Sequence, residues 1–141
     1  MTQLIALLIG GFLSVGAAFH FYWGFGGQYG RRVAVPQRLD GTPLFVPSAA
    51  ATFAVALGLT LILFALAIYA MRLDVGVPRS ALRIAMAGLA LIFLARGLSW
   101  HPYVGLFKRV RATDFGRNDT WLYSPGCIVT GLGFLLLAWN G

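Results

Sequence analysis

Four long apolar runs, separated by charged segments, constrain this chain more than any other feature of its sequence. They occupy residues 3–23, 48–71, 81–100 and 122–139. A helix needs about 20 apolar residues to cross the hydrocarbon core of a bilayer, and it satisfies its own backbone hydrogen bonds there. The runs therefore predict an all-α protein with four transmembrane spans, of which the fourth is near the shortest length that can cross.

The composition agrees with a membrane protein and excludes several other classes. Hydrophobic residues make up 59% of the 141 residues and charged residues only 11%, which is too apolar for a soluble domain of this size. The single cysteine, Cys127, argues against an intramolecular disulfide and a cysteine-rich metal site. The first run lacks the basic start of a signal peptide, so we expect a retained helix. The length suits one integral membrane domain over residues 1–141.

The net charge of +7 has a natural explanation in membrane topology. Cytoplasmic loops of bacterial inner-membrane proteins are enriched in Lys and Arg, and the long loops 24–47 and 101–121 carry seven such residues. The opposite side, which has both termini, carries three: Arg72, Arg79 and Arg83. We therefore predict a multi-pass protein of the bacterial inner membrane, with the long loops cytoplasmic, both termini outside and no nucleic-acid partner.

A short amphipathic helix is expected between the third and fourth spans. A helix that begins at Pro102, a residue suited to the first turn, would place four apolar side chains on one face: Tyr103, Leu106, Phe107 and Val110. The basic residues fall on other faces: Lys108, Arg109 and Arg111. This pattern is typical of a helix that lies in the membrane interface, with its aromatic rings in lipid and its basic groups near phosphates.

Arg96 is the polar residue that most needs an explanation, because it lies inside the third apolar run. A charge within a membrane is costly and usually meets a partner in the bundle interior. Of the carboxylates on the same side, Asp119 lies beside the start of the fourth run. We therefore predict an Arg96–Asp119 ion pair. The alternatives are that Arg96 extends to lipid headgroups and that Asp119 caps the fourth helix.

A polar cluster on the long-loop side is the candidate ligand site. It is expected to contain six residues from the ends of the spans and the adjoining loops: His20, Tyr22, Arg96, Tyr103, Asp119 and Tyr123. We expect these side chains to hold the head of a lipid, a quinone or a similar amphiphile while the helices cover its tail. Membrane lipids are thus the expected partners. The sequence identifies no catalytic residue, no metal site and no particular cofactor.

Three other functions are compatible with the same sequence. A non-catalytic accessory subunit would pack against a larger membrane complex or against itself. His20 and His101 both lie near the long-loop side, as a haem or metal pair would require, but no metal-ligand motif accompanies them. An enzyme would use Asp119 or His20 as an acid or base. Because a carboxylate paired with Arg96 is a poor base, catalysis is not favoured.

Several segments together resemble a family of small bacterial four-helix membrane proteins that is catalogued as a domain of unknown function. They are distributed over nearly the whole chain: His20–Gly27, Pro43–Ser48, Arg96–Gly97, Tyr103–Lys108, Phe115–Thr120 and Leu122–Pro125. The resemblance implies the fold and residence in a membrane, and it implies no activity. The chain departs from the family pattern at residues 99–101, where an acidic and an aromatic residue usually stand. Asp119 is then the expected sole acid for Arg96.

Overall fold

The computed structural model describes residues 1–140 and is all-α over that range. Four long helices form the bundle: α1 (Thr2–Gly24), α3 (Ala49–Met71), α4 (Arg79–Gly97) and α5 (Asp114–Asn140). A short helix, α2 (Arg31–Ala34), lies in the first long loop. All four long helices are apolar and long enough to cross a membrane. The all-α fold with four candidate spans is therefore confirmed.

Helix α5 begins at Asp114, well before the start at residue 122 that hydropathy predicts. The hydroxyl of Thr113 accepts a hydrogen bond of 3.0 Å from the backbone N–H of Gly116 and so caps the helix. A polar first turn then continues into the apolar run without a break. Helix α4, in contrast, ends at Gly97, before the predicted residue 100.

A π-helical segment at Asp119–Tyr123 joins the two α-helical parts of α5. Pro125 follows it, and a proline inside a helix lacks the backbone N–H and crowds the preceding turn. The wider π turn relieves this crowding, with the N–H of Ser124 donating to the carbonyl of Asp119. The distortion thus begins at Asp119, whose side chain is fully buried.

The core lies between the four long helices. Helix α1 packs mainly on α3, and α4 packs mainly on α5, while α1 also contacts α5. Buried apolar side chains from all four helices fill the centre: Ile9, Leu13, Leu66, Tyr69, Met86, Ala90, Phe134 and Leu137. The hydroxyl of Tyr69 donates to the carbonyl of Leu137 at 2.8 Å, so its polar atom is satisfied within the core.

Helices α4 and α5 approach closely because glycines line their contact. A Cβ added at Gly131 would lie 2.7 Å from Cγ of Leu94, and one at Gly97 would lie 3.0 Å from the carbonyl oxygen of Ser124. Small residues allow this kind of backbone approach between membrane helices. The end of α4, which carries Arg96, therefore lies beside the π-helical segment of α5.

The segment between α4 and α5 is not the amphipathic helix that the spacing of apolar residues predicts. Residues 98–113 form an irregular loop of turns. Gly105 has a φ of +96°, a left-handed conformation that does not continue a helix. The rings of Trp100 and Phe107 stack 5.3 Å apart, whereas Lys108, expected at the lipid headgroups, is fully buried. The prediction of a helix from Pro102 was therefore wrong.

Candidate functional site

Asp119 lies at the centre of a buried ion cluster. Its Oδ1 is 2.8 Å from Nη2 of Arg96, so the ion pair predicted from the sequence is present. Its Oδ2 is 3.1 Å from Nζ of Lys108. The same oxygen accepts hydrogen bonds from the backbone N–H of Gly105 at 2.9 Å and from the hydroxyl of Ser124 at 3.1 Å. Four groups of the protein thus contact the carboxylate, which is fully buried.

Lys108 is the member of this cluster that sequence reasoning missed. Its ammonium group contacts Oδ2 of Asp119 at 3.1 Å, the carbonyl of Gly105 at 3.2 Å and the hydroxyl of Thr120 at 2.7 Å. An ammonium group has three donors, and these contacts give each of them an acceptor. Lys108 therefore joins the loop 98–113 to α5, and the surrounding sequence contains no local signal of this role.

Arg96 is the more accessible cation of the cluster. Its side chain is 34% exposed, and its Nη1 is buried without a hydrogen-bond partner among the described residues. Two cations and one carboxylate leave a local excess of one positive charge. Because Asp119 is fully buried and its contacts come from α4, α5 and the loop 98–113, the cluster is a brace that holds these three segments together.

Two of the predicted tyrosines, Tyr123 and Tyr103, contact loop residues near this brace. The hydroxyl of Tyr123 donates to the carbonyl of Val33 at 3.2 Å and so connects α5 to the first long loop. The ring of Tyr103 packs near that of His101, with centroids 6.0 Å apart. The backbone N–H of Tyr103 also approaches Nδ1 of His101 at 3.4 Å. His101 is exposed, and these contacts give it a local role in the loop.

His20 and Tyr22 belong to a different part of the molecule. Nδ1 of His20 lies 2.7 Å from the carbonyl of Gly16, so this nitrogen donates and Nε2 of the neutral ring is left as an acceptor. Tyr22 is 46% exposed, and its hydroxyl accepts from the N–H of Tyr29 at 3.3 Å. Within residues 1–140, no hydrogen bond joins either residue to Asp119. The six predicted residues therefore do not form one hydrogen-bonded cluster.

His20 instead lines a cavity, here called the inner cavity, of about 230 Å³. Its polar lining residues are His20, Arg31 and Thr52, and the other walls are apolar: Trp23, Ala34, Val35, Phe45, Pro47, Ala51 and Val55. The lining therefore comes from the end of α1, the start of α3 and the first long loop. An apolar pocket with a few converging polar groups is typical of a small-molecule site.

A second cavity, here called the outer cavity, lies next to the inner one and has a volume of about 350 Å³. The two cavities share four lining residues: Arg31, Val35, Phe45 and Pro47. The remaining lining of the outer cavity comes from the first long loop: Gln28, Arg32, Gln37, Gly41, Pro43 and Val46. Arg31 therefore stands in the wall between a space at the helices and a space in the loop.

Long-range contacts hold this loop in position over α5. Gln37 is 3% exposed, and its Oε1 accepts from the backbone N–H of Phe115 at 3.2 Å. Arg32 forms an exposed ion pair with Asp114 at 3.2 Å. Together with the hydrogen bond from Tyr123, these contacts fix the walls of both cavities to the brace at the start of α5.

The tip of the same loop is ordered by its own hydrogen bonds. Oδ1 of Asp40 accepts from the hydroxyl of Thr42 at 2.7 Å and from its backbone N–H at 2.9 Å. These hydrogen bonds favour the carboxylate form and hold the pKa of Asp40 below its usual value. Gly41 has a φ of +82°, which a turn at this position requires and which glycine adopts most readily.

The side chains that commonly bind metals are dispersed. Among residues 1–140, no group of three or more His, Cys, Asp or Glu side chains lies together in a way that could hold a metal ion. The Nδ1 atoms of His20 and His101 are each engaged by the local backbone contacts described above. The two histidines do not share the inner cavity, since His20 lines it and His101 does not.

Comparison with known proteins places the chain in a family. No curated protein and no solved structure matches it with significance. One family model does match, over residues 13–134, a range that includes both the ion cluster and the two cavities. The match extends over most of the chain and agrees with the resemblance of the separate segments. This four-helix protein belongs to the family described as protein of unknown function (DUF3995).

Proposed function

We propose that this protein binds an amphiphile, such as a lipid or a quinone, with the part of the ligand next to its head in the inner cavity. The observation that carries the proposal is the composition of this cavity: an apolar space between α1 and α3 that ends at His20 and Arg31. The ligand would then lie apart from the ion cluster, since Arg96, Lys108 and Asp119 do not line the inner cavity.

The polar groups of the inner cavity can contact polar atoms of the ligand where its tail meets its head. The guanidinium group of Arg31 supplies donors, and only Nη2 is used by the protein, in a hydrogen bond of 3.2 Å to the carbonyl of Pro47. His20 leaves its Nε2 for the ligand, because its Nδ1 contacts the carbonyl of Gly16 at 2.7 Å. Thr52 contributes less, since its hydroxyl already donates to the carbonyl of Ser48 at 2.8 Å.

The size of the cavity indicates how much of the ligand is enclosed. About 230 Å³ is below the range of roughly 300–1,000 Å³ that encloses a drug-sized ligand. The inner cavity thus suits the part of an amphiphile next to its head. The rest of the tail would follow the exposed apolar surface of α3, where Val55 is 47% exposed.

Native mass spectrometry of the protein extracted gently from its own membrane tests this proposal. We expect a lipid-like molecule to be retained by the parent protein and lost from Val55→Trp, which fills the inner cavity. Leu57→Trp is the matched control, because Leu57 lies on the same helix, is 56% exposed and does not line the cavity. Retention of the same molecule by Val55→Trp would contradict the proposal. Retention of a protein partner alone would favour the accessory-subunit interpretation.

A further inference from the structure

Two adjacent arginines line the outer cavity, which is formed by residues of the first long loop. Arg31 belongs to both cavities and Arg32 only to the outer one, and no acidic residue is among the lining residues. The segment 25–47 carries three arginines and one aspartate, Asp40. A ligand that extends from the inner cavity into the outer one would therefore place its head among positive charges.

The guanidinium groups keep donors for such a head. Within residues 1–140, no ion pair joins Arg31 to a carboxylate, and its hydrogen bond to Pro47 uses Nη2. Arg32 contacts Asp114 through Nε at 3.2 Å, with side-chain exposures of 78% and 45%. An exposed pair of this kind contributes little stability, so Asp114 competes weakly with a ligand. Asp40 is already occupied by Thr42.

We infer that the head of the amphiphile is an anionic phosphate group, held by Arg31 and Arg32 in the outer cavity. The inference rests on the proposed function, because it takes the part of the ligand next to the head to lie in the inner cavity. Guanidinium groups match the geometry of phosphate oxygens and bind them with charge-assisted hydrogen bonds. The outer cavity, at about 350 Å³, has room for a phosphate group with a small substituent.

Fluorescence of Trp23, which lines the inner cavity, can report on binding. The other three tryptophans, Trp100, Trp121 and Trp139, are exposed and would be replaced by Phe. The protein would be placed in phosphatidylcholine nanodiscs and titrated with three probes: dodecyl phosphate, monododecanoylglycerol and inorganic phosphate. The first two share a tail length and differ in head charge, and the third has the head without a tail.

We expect dodecyl phosphate to bind at least tenfold more tightly than either other probe. Arg31→Gln and Arg32→Gln should each weaken its binding about tenfold, as expected for a lost charge-assisted hydrogen bond. Arg109→Gln is the matched control, because Arg109 is exposed on the same side and lines neither cavity. An equal loss in Arg109→Gln would show a general surface-charge effect and overturn the inference.

The probes separate failure of this inference from failure of the proposed function. If monododecanoylglycerol binds as tightly as dodecyl phosphate, the anionic head is wrong and amphiphile binding stands. If inorganic phosphate binds as tightly as dodecyl phosphate, the tail contributes nothing and a free phosphate site replaces both proposals. If no probe changes the fluorescence of Trp23, both are overturned.

Discussion

Nζ of Lys108 and Oδ2 of Asp119 lie 3.1 Å apart, and both side chains are fully buried. This ion pair fastens the loop 98–113 to the π-helical segment of α5. A buried ammonium group without a counter-charge is unfavourable by roughly several kcal/mol even after the protein relaxes. The charge of Asp119 is therefore what allows Lys108 to be buried, and the stability of the loop depends on this single carboxylate.

Removal of one member of this pair should destabilise the protein more than removal of both. Asp119→Leu leaves Lys108 and Arg96 without their carboxylate, and we expect a loss of about 3–5 kcal/mol. The double variant Lys108→Met/Asp119→Leu leaves only Arg96, which is 34% exposed and can extend toward lipid headgroups. Thermal unfolding of both variants in one detergent should therefore show a higher midpoint for the double variant.

The two cations of the cluster should differ in the same measurement. Arg96→Met removes a partly exposed charge, whereas Lys108→Met removes a fully buried one with three acceptors. We expect the larger loss for Lys108→Met, and little change for Arg109→Met as an exposed control. A parent-like unfolding midpoint for Lys108→Met would show that its ammonium group does not lie in the cluster.

The Arg96–Asp119 pair could be predicted from sequence because few acids were available to a charge inside an apolar run. Lys108 could not, for a physical reason. The apolar residues around it follow a helical spacing, and on a helix its side chain would face the headgroups. Gly105 breaks that periodicity with a φ of +96°, and the resulting turn directs Lys108 to Asp119. The local pattern thus predicted the wrong direction for the side chain of Lys108, because tertiary contacts set the path of this segment.

Gly105 should not tolerate a side chain. An added Cβ would lie 2.5 Å from the carbonyl oxygen of Ser99, in a left-handed backbone conformation, so strain and steric overlap act together. We expect Gly105→Ala to lower the free energy of unfolding by more than about 1 kcal/mol. Gly88→Ala is the control, since a Cβ there meets no atom within 4 Å. Equal unfolding midpoints for the two variants would contradict the described turn.

The close crossing of α4 and α5 leads to a similar expectation at Gly131. A Cβ at this position would lie 3.0 Å from the backbone nitrogen of Leu94 and 3.1 Å from the carbonyl oxygen of Ala90. Because backbone atoms cannot move aside independently, Gly131→Ala should push the helices apart, with a loss of about 1–3 kcal/mol. Gly58→Ala, in open space on α3, should unfold like the parent. The comparison is made by denaturant unfolding in mixed micelles.

The cavities were harder to predict from the sequence than the brace was. His20 and Tyr22 were grouped with Asp119 because all three lie near the same membrane face, but depth alone does not make residues neighbours. The path of the first long loop is set by contacts such as that between Gln37 and Phe115, which are far apart in the sequence. No periodicity within residues 25–48 indicates that contact, so Arg31 could not be assigned to a cavity from sequence.

The hydrogen bonds of the terminal-side arginines bear on the orientation of the bundle. Nη1 of Arg79 donates to the carbonyl of Tyr69 at 3.2 Å, and Nε of Arg83 donates to the carbonyl of Ala138 at 3.0 Å. Both carbonyls lie near the ends of helices, where basic side chains are favourable. On that side, Arg79 and Arg83 therefore stabilise helix ends, and only Arg72 does not form such a hydrogen bond among residues 1–140. The excess on the long-loop side is then the clearer topological signal.

Cysteine labelling in intact cells tests the predicted orientation. In a Cys127→Ala background, Thr2→Cys and Asn140→Cys should react with a membrane-impermeant maleimide added outside, in cells whose outer membrane has been made permeable. Leu39→Cys should react only after lysis. Leu39 is 77% exposed, and its replacement leaves Arg38 and the charge balance unchanged. If Leu39→Cys reacts in intact cells and the two terminal variants do not, the basic loops face outward, and the arginines of the outer cavity would meet ligands from outside the cell.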